Sequence, residues 1–263
     1  MKQQIMSKLR ALIKKNNEMV SYLGDYASFE EAHKFCDGYD SKTIFEKAKY
    51  ALAAVVEGKA AYERDTYLFY EKAINYNLMM YLQRILIREY KLIICDWGGA
   101  FASTFFQHRD LLDEMNCLWT IIEQKHFVDY AKEHLERSNL HFCYPPENID
   151  DIPECNCVLF SSVLQYLDNA SDIIQMVIKK KIKYIIVERT PVCKRHRIWI
   201  ETVHEPIYEA SYACCVFSEI DFIEQFRKNG YELIDQWHSL VDGDIAIDGD
   251  TVVFKSFVFQ YGE

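Results

Sequence analysis

Leu92-Ile93-Ile94-Cys95-Asp96-Trp97-Gly98-Gly99, followed by Ala100-Phe101-Ala102-Ser103, decides how this chain is read. An apolar run ends in a carboxylate. Two glycines follow at once, and small residues then lead into a helical pattern. That order predicts a buried parallel strand, a tight turn and a helix whose N-terminus faces a ligand.

The same alternation continues outward from this stretch. Strands are predicted over 92–96, 119–123, 140–144, 158–161 and 184–188, and helices over about 103–115, 127–136 and 170–180. Strand and helix in turn imply a parallel sheet with helices on both faces. The ending departs from this rule. Ser218-Glu219-Ile220-Asp221 carries a capping signal for a helix that Gly230 closes. Residues 231–237 and 252–260 then read as two long strands joined by a loop rich in Asp and Gly, and with no helix between them they pair antiparallel. The fold class expected is α/β, a doubly wound Rossmann-like sheet that finishes in an antiparallel hairpin.

Before residue 91 the pattern is helical. Ser28-Phe29-Glu30-Glu31 is a capping box, and Gly38-Tyr39-Asp40-Ser41 reads as a turn and a new helix start. Apolar residues recur at helical spacing over 44–57 and again over 66–87, with Gly58 between them. The expected organisation is a helical N-terminal cap over 1–90 and a sheet domain over 91–263.

Composition removes several classes. The 263 residues are half hydrophobic, enough for a sizeable core, and the formal net charge is -10. That balance leaves no basic excess for general nucleic-acid binding. The nine cysteines are scattered, and the close pairs Cys155/Cys157 and Cys214/Cys215 lack the spacing of metal knuckles. They read as small core side chains in a reducing cytoplasm, and no metal site is expected. No export signal and no membrane-spanning run is visible. In residues 1–15 an apolar face of Ile5, Met6, Leu9, Leu12 and Ile13 stands opposite Lys2, Lys8, Arg10, Lys14 and Lys15. Such a helix either docks on its own protein or rests weakly on an anionic membrane surface.

Three constellations carry chemistry. In a nicotinamide enzyme the first strand runs straight into the glycines, and the acid comes later. Here Asp96 precedes Gly98 and Gly99, an order that suits S-adenosylmethionine: the turn approaches its methionine part closely and the carboxylate organises the cationic amino end. Glu123 closes the second strand, where it can accept both hydroxyls of an adenosine ribose, with Gln124 beside it. Ser161-Ser162-Val163-Leu164-Gln165-Tyr166-Leu167 follows a buried strand, at the place that adjoins sulfonium and substrate in such a sheet. The absence of a G-x-S-x-G elbow argues against a serine hydrolase.

These stretches resemble one family. Tyr22-Leu23-Gly24-Asp25-Tyr26-Ala27-Ser28-Phe29-Glu30-Glu31-Ala32, Gly38-Tyr39-Asp40, the Asp96 turn, Ile122-Glu123-Gln124-Lys125-His126-Phe127-Val128, Ser161 to Leu167, Glu188-Arg189-Thr190-Pro191 and Ile207-Tyr208-Glu209-Ala210-Ser211-Tyr212 are similar to a group of bacterial S-adenosylmethionine-dependent methyltransferases of class I fold, often encoded among surface-polysaccharide genes. The resemblance implies S-adenosylmethionine as cofactor, held by Asp96, Gly98, Gly99, Ala100, Glu123, Gln124, Ser161, Ser162, Gln165 and Tyr166. It implies O-methylation of a surface glycan or a glycan precursor. A sugar hydroxyl needs a base, and His204, Glu209 and Asp168 are the candidates. Arg189 and Arg197 can fork onto an acidic acceptor, and Tyr208 and Tyr212 can stack on a sugar ring. The alternative is a catalytically inactive methyltransferase-like fold that binds a nucleoside or a partner protein. One departure favours that alternative: Ala100 and Ala102 stand where the family commonly has Gly, and at positive φ each would add strain of about 1 kcal/mol.

Overall fold

A computed structural model describes residues 20–38, 42–204, 209–239, 241–247 and 249–262. Tyr208 and the amphipathic stretch 1–15 lie outside the described residues. In chain order the strands are β1 (Val20–Leu23), β2 (Tyr62–Arg64), β3 (Tyr67–Phe69), β4 (Ile93–Trp97), β5 (Leu118–Ile122), β6 (Leu140–Cys143), β7 (Cys157–Ser161), β8 (Tyr184–Cys193), β9 (Arg197–Val203), β10 (Ala210–Ser218), β11 (Tyr231–His238), β12 (Ile245–Ile247) and β13 (Asp250–Tyr261). The helices are α1 (Phe29–Ala32), α2 (Lys42–Val56), α3 (Tyr76–Glu89), α4 (Ser103–Glu114), α5 (Lys125–His134), α6 (Ala170–Lys179) and α7 (Glu219–Arg227).

The chain divides into two compact units. The first takes Lys42–Ser161 and Gln175–Ile185, and the second takes Ser162–Ile174, Ile186–Glu263 and the residues before Lys42.

In the first unit β4 pairs parallel with β5 on one side and with β7 on the other, and β5 pairs parallel with β6. Each of these strands is an apolar run. Ile94, Cys95, Trp119, Ile121, Val158, Leu159 and Phe160 have almost no exposure, as a strand covered on both faces requires. The helices start and stop on local chemistry. Gly58, at φ +73°, follows α2. The Asn75 side chain accepts the Leu78 N–H at 3.2 Å to open α3, and Tyr90 closes it at φ 58°.

Two features correct the all-helical reading before residue 91. β1 is a strand, and β2 and β3 form a small antiparallel hairpin. Both central residues of its turn, Asp65 and Thr66, have positive φ, 50° and 67°. That is the geometry of a two-residue hairpin turn, here built without glycine.

In the second unit β1, β9 and β10 lie side by side, each pair antiparallel. β10 also pairs parallel with β8, and β13 pairs with β8, β11 and β12. β11 and β13 run antiparallel from Tyr231↔Tyr261 onward. β9 and β10 have no counterpart among the predicted strands. The Ser28 side chain accepts the Glu31 N–H at 3.1 Å, the first half of the predicted capping box, while the Glu31 carboxylate accepts the Ala27 N–H at 2.8 Å, one residue before the cap. Among the described residues no helix is long and apolar enough to cross a membrane.

Candidate functional site

The register of β4 against β5 sets the first half of the site. Trp97 stands opposite Ile122, so the chain leaves both strands at one carboxyl edge. The ladder runs one step further, because Gly98 N donates to Ile122 O at 2.9 Å. Glu123 therefore emerges beside the glycine turn. Its Oε2 accepts the Ala100 N–H at 3.1 Å, and its Oε1 accepts the Gln124 N–H at 2.8 Å. Burial pushes the Glu123 carboxyl above its usual range, and these two N–H groups pull it back. Both oxygens keep lone pairs beyond these bonds.

Asp96 has a different place from the one its position in sequence suggests. It has no exposure at all, and its Oδ2 accepts the Trp119 indole N–H at 3.1 Å. A Cβ on Gly99 would lie 2.7 Å from that oxygen and 2.8 Å from Ile121 Cδ1. The carboxylate thus supports the turn from inside the sheet. Of the two acids, Asp96 is fully buried and Glu123 is the one with exposed surface.

The turn is strained. Gly98 has φ 73°, and Ala100 and Ala102 have φ 48° and 65°. Both alanines occupy the left-handed region, where a methyl group costs about 1–2 kcal/mol. Ala102 caps α4 without a side-chain hydrogen bond. α4 opens at Ser103, whose hydroxyl donates to Glu63 Oε1. Glu63 also accepts the Thr66 N–H at 3.0 Å. Burial raises its carboxyl to about 7, against the downward pull of the Ser103 hydroxyl. Sequence reading missed Glu63. An acid between Tyr62 and Arg64, in a stretch taken as helical, gave no signal.

The second unit holds a separate polar cluster. Glu201 on β9 stands directly opposite Tyr22 on β1 and Tyr212 on β10. Glu201 Oε2 accepts the Tyr166 hydroxyl at 3.0 Å, and Oε1 accepts that of Tyr212 at 3.5 Å. The Tyr166 and Tyr212 rings meet edge to face at 5.2 Å. Tyr22 meets Trp199 in the same way at 5.2 Å. Burial, and after it the Glu201 charge, push the Tyr22 phenol well above its ordinary range, so it stays protonated and can donate. Glu201 went unnoticed in the sequence, although a lone acid inside Ile198-Trp199-Ile200-Glu201-Thr202-Val203 was the available signal.

The remaining predicted residues are spread out. Ser162 N donates to Glu188 O at 2.9 Å, and Gln165 Nε2 donates to Ser162 Oγ at 3.0 Å. Ser161 is the last residue of β7. His204, Glu209 and Asp168 are all exposed, and His204 Nε2 lies 3.2 Å from Ser21 Oγ. The Arg189 fork is taken by Asp242 through two contacts of 3.0 Å, and buried Arg197 donates to Asp25 at 3.1 Å. Both arginines are thus paired with carboxylates of this chain. Among the described residues no group of three or more His, Cys, Asp or Glu side chains is placed to hold a metal ion.

No family model and no curated protein matches the chain. Solved structures do. The N-terminal domain of EvdMO1, crystallised in the presence of SAH and D-fucose, is similar at a TM-score of 0.49 and 10% identity, over 86% of this chain and 98% of that one. The glycopeptide N-methyltransferase MtfA, complexed with S-adenosyl-L-methionine, is similar at 0.45 and 10% identity, over 68% and 92%. LepI in complex with SAM is similar at 0.44 and 12% identity over 65% of this chain, which spans 43% of LepI's length. At such scores the likeness assigns neither fold nor activity.

Proposed function

We propose that this chain is an S-adenosylmethionine-dependent methyltransferase acting on a hydroxyl of a surface glycan or glycan precursor. One observation carries the reading: the carboxylate that ends β5 lies on the glycine turn that ends β4, 3.1 Å from the Ala100 N–H. A strand-end acid fixed at that edge has free lone pairs for a vicinal diol, and accepts both hydroxyls of a ribose. Gly99 lets the turn pack its backbone directly on buried Asp96 and Ile121, which fixes the turn beside Glu123. The first turn of α4, which lacks a side-chain cap, offers backbone N–H groups to a carboxylate. When bound, S-adenosylmethionine supplies a methyl group on a positively charged sulfur.

The residues assigned to the donor are Gly98, Gly99, Ala100, Glu123 and Gln124, with Asp96 holding the turn in place. The hydroxyl acceptor is supported by the resemblance to the polysaccharide-associated family. Calorimetry tests the reading. S-adenosylhomocysteine binds at micromolar levels and NAD does not; the reverse order, or no binding of S-adenosylhomocysteine, sinks the reading.

The second reading is an inactive nucleoside-binding member of the same fold. The positive φ of Ala100 and Ala102 favours it, because strain in the turn weakens the donor site. Single-turnover assays separate the two. Binding of S-adenosylmethionine with no loss of its methyl group to any cell-envelope extract supports the inactive form.

A further inference from the structure

α3 is apolar on two opposite faces. Leu78, Tyr81, Leu82 and Ile85 are buried in the first unit. On the other side stand Tyr76, Met80, Gln83 and Ile87, and Tyr90 continues the row at the helix end. Steps of four, three, four and three residues are the spacing of a helix seam. Tyr76, Met80, Ile87 and Tyr90 are 75%, 51%, 66% and 92% exposed. Of the twelve large apolar side chains exposed among the described residues, five stand from Ile74 to Tyr90, so they form a patch and not scatter. Beside the seam, α3 and α4 border a groove of about 500 Å³. Met79, Leu86, Leu111 and Met115 line it, and among the described residues Glu114 is its one charged wall. A helix that is apolar on both sides is one that is covered on both.

The order of residues along the seam selects its occupant. Outward from Gln83 the row is alike in both directions: first Met80 or Ile87, then Tyr76 or Tyr90. Such a row fits a second copy of itself, laid antiparallel about a two-fold axis through Gln83. Met80 of each copy then lies on Ile87 of the other, Tyr76 lies on Tyr90, and the two Gln83 amides face each other. An amide carries donors and an acceptor, so this pair satisfies itself. One polar residue in an apolar seam also fixes its register. The antiparallel arrangement places the positive end of each helix dipole beside the negative end of the other. We propose that this chain forms a two-fold symmetric dimer, α3 on α3 of a second copy, centred on Gln83. One seam and one groove per copy make a small interface, below about 1,200 Å² in total, which is the size of reversible contacts. The dimer therefore dissociates in the micromolar range.

Sedimentation velocity on the full chain, over a wide range of concentration around the micromolar, tests this. The wild type shifts from monomer to dimer as concentration rises. Met80→Lys and Ile87→Glu each set unpaired charges in the seam and raise the dissociation constant at least about tenfold. Both positions are exposed, and thermal melts check that the variants fold as the wild type does. An equimolar mixture of the two variants recovers the dimer. In the mixed pair the new ammonium of one copy meets the new carboxylate of the other, and the second contact of Met80 with Ile87 stays as it was. Parallel helices would not bring positions 80 and 87 together, so recovery on mixing reads the register itself. A wild type that stays monomeric at every concentration overturns the proposal; a lowered melting temperature of Met80→Lys then points to a segment of the same chain on the seam. A dimer that both variants leave unchanged, or that mixing does not restore, overturns it as well.

Discussion

Gly99 lies so close to Asp96 that an added Cβ would sit 2.7 Å from the buried carboxylate oxygen. Asp96 cannot withdraw, since it is fully buried and accepts the Trp119 indole N–H. Ile121, the other neighbour at 2.8 Å, is also without exposure. Overpacking at such a point costs about 1–3 kcal/mol. Gly99→Ala is therefore expected to lose that much stability in urea unfolding, and to lose S-adenosylhomocysteine binding. Wild-type stability in this variant would show that the turn has more room than the geometry gives it.

The two alanines of the turn should answer differently to glycine. Each has positive φ, with about 1–2 kcal/mol of strain to release. Against this stands about 0.4–1 kcal/mol of added freedom in the unfolded chain. Ala100 is half-buried, so Ala100→Gly stabilises by roughly 0.5 kcal/mol. Ala102 is fully buried and loses a methyl group worth about 0.8 kcal/mol, so Ala102→Gly comes out near zero. Chemical denaturation of the two variants reads the difference. Equal destabilisation of both by more than about 1 kcal/mol contradicts the strain.

Glu63 makes stability depend on pH. Its carboxyl is raised to about 7 when folded, from an ordinary 4.5. Between these values the folded chain holds a proton that the unfolded chain has released, so stability falls as pH rises from 4.5 to about 7 and is flat above. The span corresponds to roughly 3 kcal/mol. Glu63→Gln should leave stability at about pH 4 almost unchanged and raise it by roughly 3 kcal/mol at about pH 8. Melting curves across that range decide. A variant that is less stable at pH 8 would show that the charged form is the one the fold favours.

Arg189 and Asp242 form a forked pair, with side-chain exposures of 20% and 15%. Asp242 also accepts the Ser239 hydroxyl at 2.6 Å. Removing one charge from a partly buried pair leaves the other without compensation, at about 2–3 kcal/mol after allowance for the remaining exposure. Asp242→Asn is expected to lose that stability and to gain binding of inorganic phosphate at the freed guanidinium, read by calorimetry. Phosphate binding by the wild type, equal to that of the variant, would mean that the fork was available from the start.

How far the sequence could be read follows from the chemistry of each stretch. β4, β5, β6 and β7 were legible to within a residue because buried parallel strands are apolar runs, and Ile93-Ile94-Cys95 or Val158-Leu159-Phe160 allow little else. The Asp96 turn and the Glu123 strand end stood out for the same reason, as polar residues that stop such runs. The β2–β3 hairpin was hidden. Its turn is Asp65-Thr66, and a β-branched residue at positive φ is the opposite of the Asn-Gly signal for this geometry. β8 runs on to Cys193, through Pro191 and past the predicted end at 188. β9 and β10 mix Arg, Glu, Thr and Tyr with apolar residues, because one face carries the Glu201 cluster. The residues that make that face interesting also erased its strand pattern. Burial was the other blind spot: position alone could not show that Asp96 lies under the turn and Glu123 beside it.

The most direct test of the account is the affinity of S-adenosylhomocysteine for the wild type and for Glu123→Gln, measured by calorimetry. The substitution keeps the shape of the side chain and an acceptor for one backbone N–H, and removes the charge and one of the two acceptor oxygens. Micromolar affinity in the wild type and a loss of about tenfold to a hundredfold in the variant, as charge-assisted hydrogen bonds to a ribose require, are predicted. Equal affinity in the two proteins, or no binding by either, would contradict the place given to Glu123.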